Sequence, residues 1–513
     1  MIIPGRRALL LALAALACCA GTAAAIRYHT LGLTLTHYDA RAHLVVARRI
    51  FDSITPGWQQ IGAVWLPLPH LLNALPVQID FLYRTGWSAI AISILSLAIA
   101  TAAIASIVLS LTESKWAAVA GASVFALNPN VLYLQSTPMT EPLLMALTLA
   151  SVALLMARCE EMADLTVGTT SSLASGPQVR PWHVGVAFTL ACMTRYEAWP
   201  VTASALVAAV WIRWRRGTAV DRALREVAHI AAYPTLAIAA FVVFSRIVTG
   251  AWFADGFFVP ENTAKGHPYD ALAEVAWGVR TLSGNGLLIV AIAGGVLLGM
   301  LALFSRRRAT ATLPIALAAT AAVPWLAFVD GHPYRIRYMV PLLAAQAVFA
   351  GVAAGAWKRL RPVTIVLLAL VAAFELRPLD ASAPMVVEAQ WDRPNIVARD
   401  SVSAYLAANY RGETVMASMG SLGHYMQDLS RRGFALRDFL HEGNGDIWLN
   451  ALENPRPFAG WLLIEEQAEG GDMLAKRARE NPAFLAGFSR VSAAAGVALY
   501  RRAPFTAGDD ARR

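Results

Sequence analysis

The feature that most constrains this chain is a series of long apolar stretches separated by short basic segments. Crossing about 30 Å of hydrocarbon as a helix takes roughly 20 apolar residues, and such stretches recur along the first 375 residues. Of all 513 residues, 57% are hydrophobic and only 15% are charged, whereas about a quarter of the residues in a soluble domain are charged. The sequence therefore predicts a mostly α-helical, polytopic membrane protein and excludes a soluble enzyme, a collagen-like fibre and a disordered chain.

About 11 membrane spans are predicted from the lengths of these stretches. The pair 182–198 and 199–212 is short, and the polar run 194–197 separates its members, with Pro200 just beyond, as suits a chain that turns there. The predicted spans are 8–26, 87–111, 116–134, 142–157, 182–198, 199–212, 227–245, 284–304, 309–329, 338–357 and 362–375.

The basic residues predict the orientation. Positive charge concentrates on the cytoplasmic side of membrane proteins, and residues 1–375 hold 27 basic and 17 acidic side chains, against 16 and 17 in the tail. One alternating topology, with a cytoplasmic N terminus, fits every clear cluster. We therefore expect a multi-pass protein of the bacterial cytoplasmic (inner) membrane, with membrane lipids and no nucleic acid as partners. The clusters lie at Arg6, Lys115, Arg158, Arg213, Arg306 and Lys358.

The predicted organisation has two parts. Residues 1–375 form the membrane domain, with long outer loops at 27–86 and 246–283, and residues 376–513 form a small extracytoplasmic α/β domain. The first span also resembles a cleavable signal peptide, but residue 27 onward lies outside in either case. The charge pattern of 38–52 predicts a helix on the membrane surface. In the tail, helices are predicted at 397–410 and 471–480, and strands at 414–418, 459–465 and 496–501.

Two carboxylates at the outer membrane boundary are candidate catalytic groups, because a charge there is costly unless it is paired or functional. Asp39 could cap the surface helix, or it could act as a general base whose pKa is raised by desolvation. Glu141 could favour the dipole of the helix that follows. Alternatively, Glu141 binds acceptor or sugar hydroxyls, or completes a carboxylate pair with Asp39.

Three arginines are predicted on the outer side, against the positive-inside bias. Arg195, Arg335 and Arg337 each lie beside a span. A planar guanidinium suits phosphate oxygens, so the set points to an anionic ligand at the membrane surface. A simple pairing of Arg195 with Glu197 is the structural alternative.

The histidines of the first loop are weak candidates for a metal site. His37, Asp39, His43 and His70 match no established ligand spacing and Asp-x-Asp is absent, so no cofactor is expected and a divalent metal is not favoured. The aromatic 246–283 loop fits either a membrane-dipping flap or a lid that contacts sugar. The residues expected to contact substrate are His37, Tyr38, His43, His70, Tyr196, Glu197, Glu261 and His332.

These motifs resemble the polytopic GT-C glycosyltransferases, in particular bacterial relatives of the protein mannosyltransferases and of the aminoarabinose lipid A transferases. The resemblance implies inverting transfer of a sugar from a polyprenyl-phosphate donor to an extracytoplasmic lipid, glycan or protein. It implies a catalytic role for Asp39, and a phosphate-binding role for Arg195, Arg335, Arg337 and Tyr338. The motifs are Tyr38-Asp39, Thr137-Pro-Met-Thr-Glu141-Pro, Thr194-Arg195-Tyr-Glu and Tyr334-Arg-Ile-Arg-Tyr338-Met-Val-Pro.

The chain departs from the family pattern at one position. Many members follow the first-loop Asp with Glu, whereas Ala40 stands here, so Glu141 would have to supply any second carboxylate. Two other classes stay open from the sequence: a transporter or flippase of a lipid or solute, and a non-catalytic scaffold for envelope assembly. The first often shows paired halves with broken helices, and no such pairing is visible.

Overall fold

The computed structural model describes residues 5–166, 179–252, 262–467, 472–494 and 496–503. A helical bundle occupies the first part of the chain, as predicted. Its helices are α1 (Arg6–Thr30), α2 (Tyr38–Arg49), α3 (Leu68–Ala74), α4 (Asp80–Thr85), α5 (Trp87–Thr112), α6 (Lys115–Ala126), α7 (Pro129–Leu134), α8 (Glu141–Thr166), α9 (Pro181–Cys192), α10 (Ala198–Arg215), α11 (Val220–Thr249), α12 (Pro268–Ser283), α13 (Asn285–Phe304), α14 (Thr312–Ile315), α15 (Ala322–Val329), α16 (Leu342–Gly355) and α17 (Arg361–Glu375).

Among the described residues, seven helical segments are long and apolar enough to cross a membrane, which makes this a multi-pass membrane protein. The other four predicted spans are shorter, interrupted or charged. Asn128 caps α7 and divides the predicted span 116–134, α9 and α17 have 12 and 15 residues, and α10 ends in Arg213 and Arg215. The seven segments are Arg6–Thr30, Trp87–Thr112, Glu141–Met162, Val220–Thr249, Asn285–Phe304, Arg306–Val329 and Ile336–Gly355.

The bundle packs around α5 and α16, which contact each other and share α6 as a neighbour. Gly121 of α6 and Gly351 of α16 let their backbones approach, because a Cβ on either would lie 3.1 Å from the other Cα; small residues are typical of such crossings. At one end of the bundle, Arg6 donates to Ser110 of α5 and Arg361 to the Thr112 carbonyl. The basic ends of α1 and α17 therefore meet at one face, as the predicted topology requires.

The tail contains a five-stranded sheet in the order β2-β1-β3-β5-β4. Strand β1 pairs in parallel with β2 and β3, and β5 runs antiparallel to β3 and β4. The predicted strands correspond to β1, β3 and β5. The two unpredicted strands give weak signals, since β2 has two residues and β4 is largely uncovered. The elements are α18 (Pro384–Glu388), α19 (Ile396–Asn409), β1 (Val415–Ala417), α20 (Met419–Arg431), β2 (Phe439–Leu440), α21 (Asp446–Glu453), β3 (Trp461–Glu465), α22 (Met473–Glu480), β4 (Phe488–Ala494) and β5 (Val497–Arg502).

The sequence predicted that α2 lies on an open membrane surface. Instead, the helix lies between the bundle and the tail. Ten of its 12 residues are buried, and it packs against α20. Just beyond α2, the Asp52 carboxylate accepts the backbone N–H groups of Leu436 and Arg437 at 3.2 Å each. Arg41 and Asp52 are therefore satisfied by the tail, which covers the helix, whereas Arg48 pairs with Asp52 and Asp80 of the first loop.

Candidate active site

Helix α2 presents Asp39 and His43 on one face, because residues four apart are neighbours on a helix surface. The helix begins at a cap that His37 provides: its Nδ1 accepts the backbone N–H of Asp39 at 3.0 Å. The capping role considered for Asp39 thus belongs to His37, and the Asp39 carboxylate is free to make other contacts. Both Asp39 and His43 are buried.

The Asp39 carboxylate forms an ion pair with Arg337. Arg337 lies in a 3-10 turn, Ile336–Met339, immediately before α16, and its side chain is also buried. Burial would raise the pKa of Asp39, but the Arg337 guanidinium outweighs it and holds that pKa well below its usual range. The sequence suggested that burial would raise the pKa of Asp39. The structure gives the opposite direction, because Arg337 pairs with the carboxylate.

The second carboxylate, Glu141, shares Arg195 with Glu197. The Nη1 atom of Arg195 lies 3.1 Å from the Glu141 Oε1 atom and 3.1 Å from the Thr140 hydroxyl. Its Nη2 and Nε atoms donate to Glu197 at 2.8 and 3.1 Å. Burial would lower the pKa of Arg195, but Glu141 and Glu197 raise it above its ordinary value. Glu141 also begins α8, so the helix-dipole role holds as well.

The two groups form one charged cluster. The charges of Asp39, Arg195 and Arg337 all act on His43, and Arg195 and Glu141 both act on Arg337. Four separate segments contribute: the start of α2, the start of α8, the turn before α10 and the turn before α16. The structure thus brings together the two acids and two of the three arginines singled out from the sequence.

A histidine pair adjoins this cluster. His43 Nδ1 lies 3.0 Å from His70 Nε2, and the Leu66 carbonyl oxygen lies 3.2 Å from His70 Nδ1. Burial and Arg49 lower the pKa of His70 to about 3, and burial and His70 lower that of His43 well below its ordinary value. His43 and Thr140 line a small cavity of about 20 Å³, which is room for about one water molecule.

No protein-family model matches the chain, and no curated protein does. Its structure is similar to that of ArnT from Cupriavidus metallidurans bound to undecaprenyl phosphate, with a TM-score of 0.52 and 12% identity over 94% of this chain and 97% of that one. It is also similar to the archaeal oligosaccharyltransferase AglB from Archaeoglobus fulgidus, in complex with an inhibitory peptide and a dolichol-phosphate. The TM-score there is 0.52, with 11% identity over 90% of this chain and 70% of AglB. The chain has the GT-C fold.

Two further predicted residues border the cluster within this GT-C fold. The Tyr338 hydroxyl lies 3.3 Å from Arg337 Nη2 and 3.3 Å from His332 Nε2. The His332 Nδ1 atom donates to the Pro333 carbonyl at 2.8 Å, so its Nε2 is an acceptor for the tyrosine hydroxyl. Tyr338 and His332 therefore support the Arg337 side chain.

Other residues predicted to belong to the site lie away from the charged cluster. The Tyr38 ring packs against His424 of α20, with ring centroids 4.7 Å apart. The Arg335 guanidinium lies 5.6 Å from the centre of the Trp391 ring and is partly exposed. Tyr196 donates to the Ala63 carbonyl at 3.2 Å and packs with apolar residues. The predicted Glu261 and residues 253–260 of the aromatic loop fall outside the described residues.

Three residues that support the charged cluster were not predicted from the sequence. The Thr140 hydroxyl accepts a hydrogen bond from Arg195 Nη1 at 3.1 Å. The ring centroid of Trp65 lies 4.2 Å from that of His43. Glu388 of α18 accepts the backbone N–H of Ile336 at 2.7 Å and so holds the turn that carries Arg337. Only for Thr140 did the sequence offer a signal, its place beside Glu141.

The described residues contain no group of three or more His, Cys, Asp or Glu side chains placed to hold a metal ion. Of the residues considered as ligands from the sequence, His43 and His70 lie side by side. Both nitrogens of His70 are engaged by protein atoms, so that residue has no lone pair for a metal. A reaction without metal or cofactor stays a prediction.

Proposed function

We propose that this protein is an inverting glycosyltransferase that moves a hexose or pentose from a polyprenyl-phosphate donor to an extracytoplasmic lipid, glycan or protein. The observation that carries the proposal is the single buried cluster of Asp39, Glu141, Arg195 and Arg337 at one end of a GT-C bundle. Neighbours of known structure are ArnT bound to undecaprenyl phosphate and AglB in complex with a dolichol-phosphate. Both of these structures contain a lipid phosphate of the proposed class.

Arg337 is the best-placed group for the donor phosphate. Its Nε atom is buried and makes no hydrogen bond with any described residue, so one N–H remains for a phosphate oxygen. Arg195 has a weaker case, because Glu197, Glu141 and Thr140 already occupy its donors. During transfer, the bond between sugar C1 and the phosphate oxygen breaks and its electron pair stays on the polyprenyl phosphate. A guanidinium that already faces this oxygen stabilises the growing charge.

Asp39 is the proposed base for the acceptor hydroxyl. While Arg337 is paired with it, the carboxylate is a poor proton acceptor, as its lowered pKa shows. A donor phosphate offers Arg337 a second anionic partner, so donor binding weakens the pair and raises the pKa of the buried carboxylate. The base is then strengthened only when donor is present, and the hydroxyl attacks C1 from the face opposite the phosphate.

The orientation follows from the same proposal. The basic helix ends face the cytoplasm of a bacterial cell, and the cluster and tail face outward, as the positive-inside rule predicts. Polyprenyl-phosphate sugars are membrane lipids, so the donor reaches the cluster laterally from the bilayer. Arg335 is proposed to contribute to phosphate binding on the resemblance alone, and Glu261 is proposed to contact substrate.

The test uses the full chain reconstituted in phospholipid vesicles with radiolabelled undecaprenyl-phosphate sugars, mannose, glucose and aminoarabinose among them. Solubilised bacterial envelope supplies acceptors. Label that moves to an acceptor, and stops moving when Asp39→Asn replaces the wild type, supports the proposal. Label that only crosses the bilayer indicates a flippase, and label that neither moves nor crosses indicates a scaffold; either result overturns the transferase. Asp80→Asn is the matched control, because Asp80 is a half-exposed carboxylate of the same loop that also pairs with an arginine of α2, Arg48.

A further inference from the structure

The two buried histidines beside the cluster form a pair with a fixed direction. His43 follows Asp39 by one turn of α2, and His70 lies on α3. The side chains are 5% and 1% exposed, so water does not compete for their nitrogens. The contacts are His43 Nδ1 to His70 Nε2 at 3.0 Å and His70 Nδ1 to the Leu66 carbonyl at 3.2 Å.

The Leu66 carbonyl sets the protonation of both rings. A carbonyl oxygen only accepts, so His70 carries its proton on Nδ1. Because the pKa of His70 is about 3, that ring is neutral at pH 7 and its Nε2 is an acceptor. His43 must then donate from Nδ1, which leaves a lone pair on its own Nε2. A backbone group two side chains away thus determines the tautomer of the ring that faces the site.

In the described part of the chain, the buried His43 Nε2 atom has no hydrogen-bond partner. A buried acceptor without a partner is costly, so this atom is available to a donor that enters the adjoining cavity, which is a water molecule in the free protein or a hydroxyl group of a ligand. His43 lines the small cavity beside Thr140, and the Trp65 ring holds the imidazole from one side. The charged groups that act on it are Asp39, Arg195 and Arg337, and His70 is its ring partner.

We propose that His43 Nε2 accepts a hydrogen bond from a hydroxyl of the sugar being transferred, and that His70 is a positioning residue that holds His43 in the accepting tautomer. The inference rests on the proposed function. The donor sugar is covalently joined to the phosphate that Arg337 binds, so it is the sugar held nearest to His43. The substrate is then a sugar with a free hydroxyl at this position, and a deoxy sugar is rejected because the acceptor stays unfilled.

The first measurement needs no substrate. Protein labelled with ¹⁵N-histidine in lipid bilayers gives ring-nitrogen signals by solid-state NMR, and the loss of signals in His43→Gln assigns His43. We expect a protonated Nδ1 and an unprotonated Nε2, retained in His70→Gln, whose amide oxygen accepts from His43. In His70→Lys the ammonium donates to Nδ1, and the tautomer should reverse. A wild-type His43 with its proton on Nε2 overturns the inference, whatever the activity.

The second measurement uses the undecaprenyl-phosphate sugar that the wild type transfers, with its monodeoxy analogues. We expect one analogue to have a kcat/KM about 10²-fold lower than the parent, and this discrimination to fall below about threefold in His43→Leu. His70→Gln should keep it and His70→Met should weaken it. A wild type that transfers the parent and every analogue equally overturns the inference but leaves the transferase intact, whereas a wild type that transfers no sugar overturns the proposed function.

Discussion

The two sides of α2 both bury charge, but they leave different groups unfilled. On the side facing the tail, Asp392 lies between Arg399 and Arg41, and Glu465 accepts from His424 at 2.5 Å. The carboxylates of this cluster are satisfied, and the groups left over on its arginines are donors. This cluster of ion pairs joins the tail to α2.

On the side facing the bundle, acceptors are unfilled as well as donors. Among the described residues, His43 Nε2, Glu141 Oε2 and Arg337 Nε have no hydrogen-bond partner, whereas Glu141 Oε1 lies 3.1 Å from Arg195 Nη1. A site that receives a sugar phosphate needs N–H groups for the phosphate and acceptors for hydroxyls. The two charged clusters therefore differ in one respect: in the described part of the chain, the cluster facing the bundle leaves acceptors unfilled beside an unfilled arginine N–H, whereas the cluster facing the tail leaves arginine donors.

The largest expected effect is on the bundle side. Asp39→Asn removes the proposed base and the partner of Arg337, and we expect transfer to fall by about 10²- to 10⁴-fold, the usual contribution of a general base. The measurement is the single-turnover rate of label transfer in vesicles. Asp80→Asn should be unaffected. Wild-type rates in a folded Asp39→Asn protein would remove the functional distinction between the two sides.

The next effect separates two arginines of one motif. Arg337→Gln should lower kcat/KM for the donor by about 10²- to 10³-fold, the cost of losing one donor to a growing negative charge. Arg335→Gln should cost less than about tenfold, because that guanidinium lies over Trp391 at the rim. Donor titrations of both variants make the comparison. Equal losses would place the phosphate between the two arginines and contradict the role given to Arg337.

The positions of these residues show how far the sequence could go. Boundary position and charge were enough to single out Asp39, Glu141, Arg195 and Arg337, because a membrane boundary makes an unpaired charge costly. The pairing was beyond reach, since Asp39 and Arg337 are almost 300 residues apart and only the folded bundle brings them together. For the same reason, the direction of the shift in the Asp39 pKa was predicted wrongly.

The sequence did not show that neighbouring residues of one motif face different parts of the molecule. Tyr38 and Asp39 share a motif, yet a helix turns successive side chains by about 100°, so one faces the tail and the other the bundle. Arg335 and Arg337 diverge in the same way at a 3-10 turn. In the tail, strongly apolar strands such as β3 were predictable. The two-residue β2 and the largely uncovered β4 lack the periodicity that identifies a strand.

A smaller effect is expected on the tail side, and on stability more than on chemistry. Asp392→Asn leaves Arg41 and Arg399 without their shared carboxylate, and we expect a loss of about 2 kcal/mol in the free energy of unfolding. Thermal unfolding in detergent measures it. Donor discrimination should be retained at temperatures where the variant is folded. Loss of discrimination without loss of stability would show that this cluster belongs to the site.

The smallest expected effect is on the pH dependence of stability, and it concerns Glu442 in the loop that follows β2. Burial raises the pKa of Glu442 from its ordinary 4.5 to about 7, and its carboxylate accepts the Met419 backbone N–H at 2.8 Å. A group whose pKa is raised on folding stabilises the fold below its unfolded pKa and loses that contribution as pH rises through the folded value. Between pH 6 and 7 we therefore expect the wild type to lose about 1 kcal/mol that Glu442→Gln does not lose. Parallel pH profiles of thermal unfolding test this, and identical slopes would mean that the carboxyl is ionised throughout the range and that the tail, like the bundle side, tolerates a buried charge.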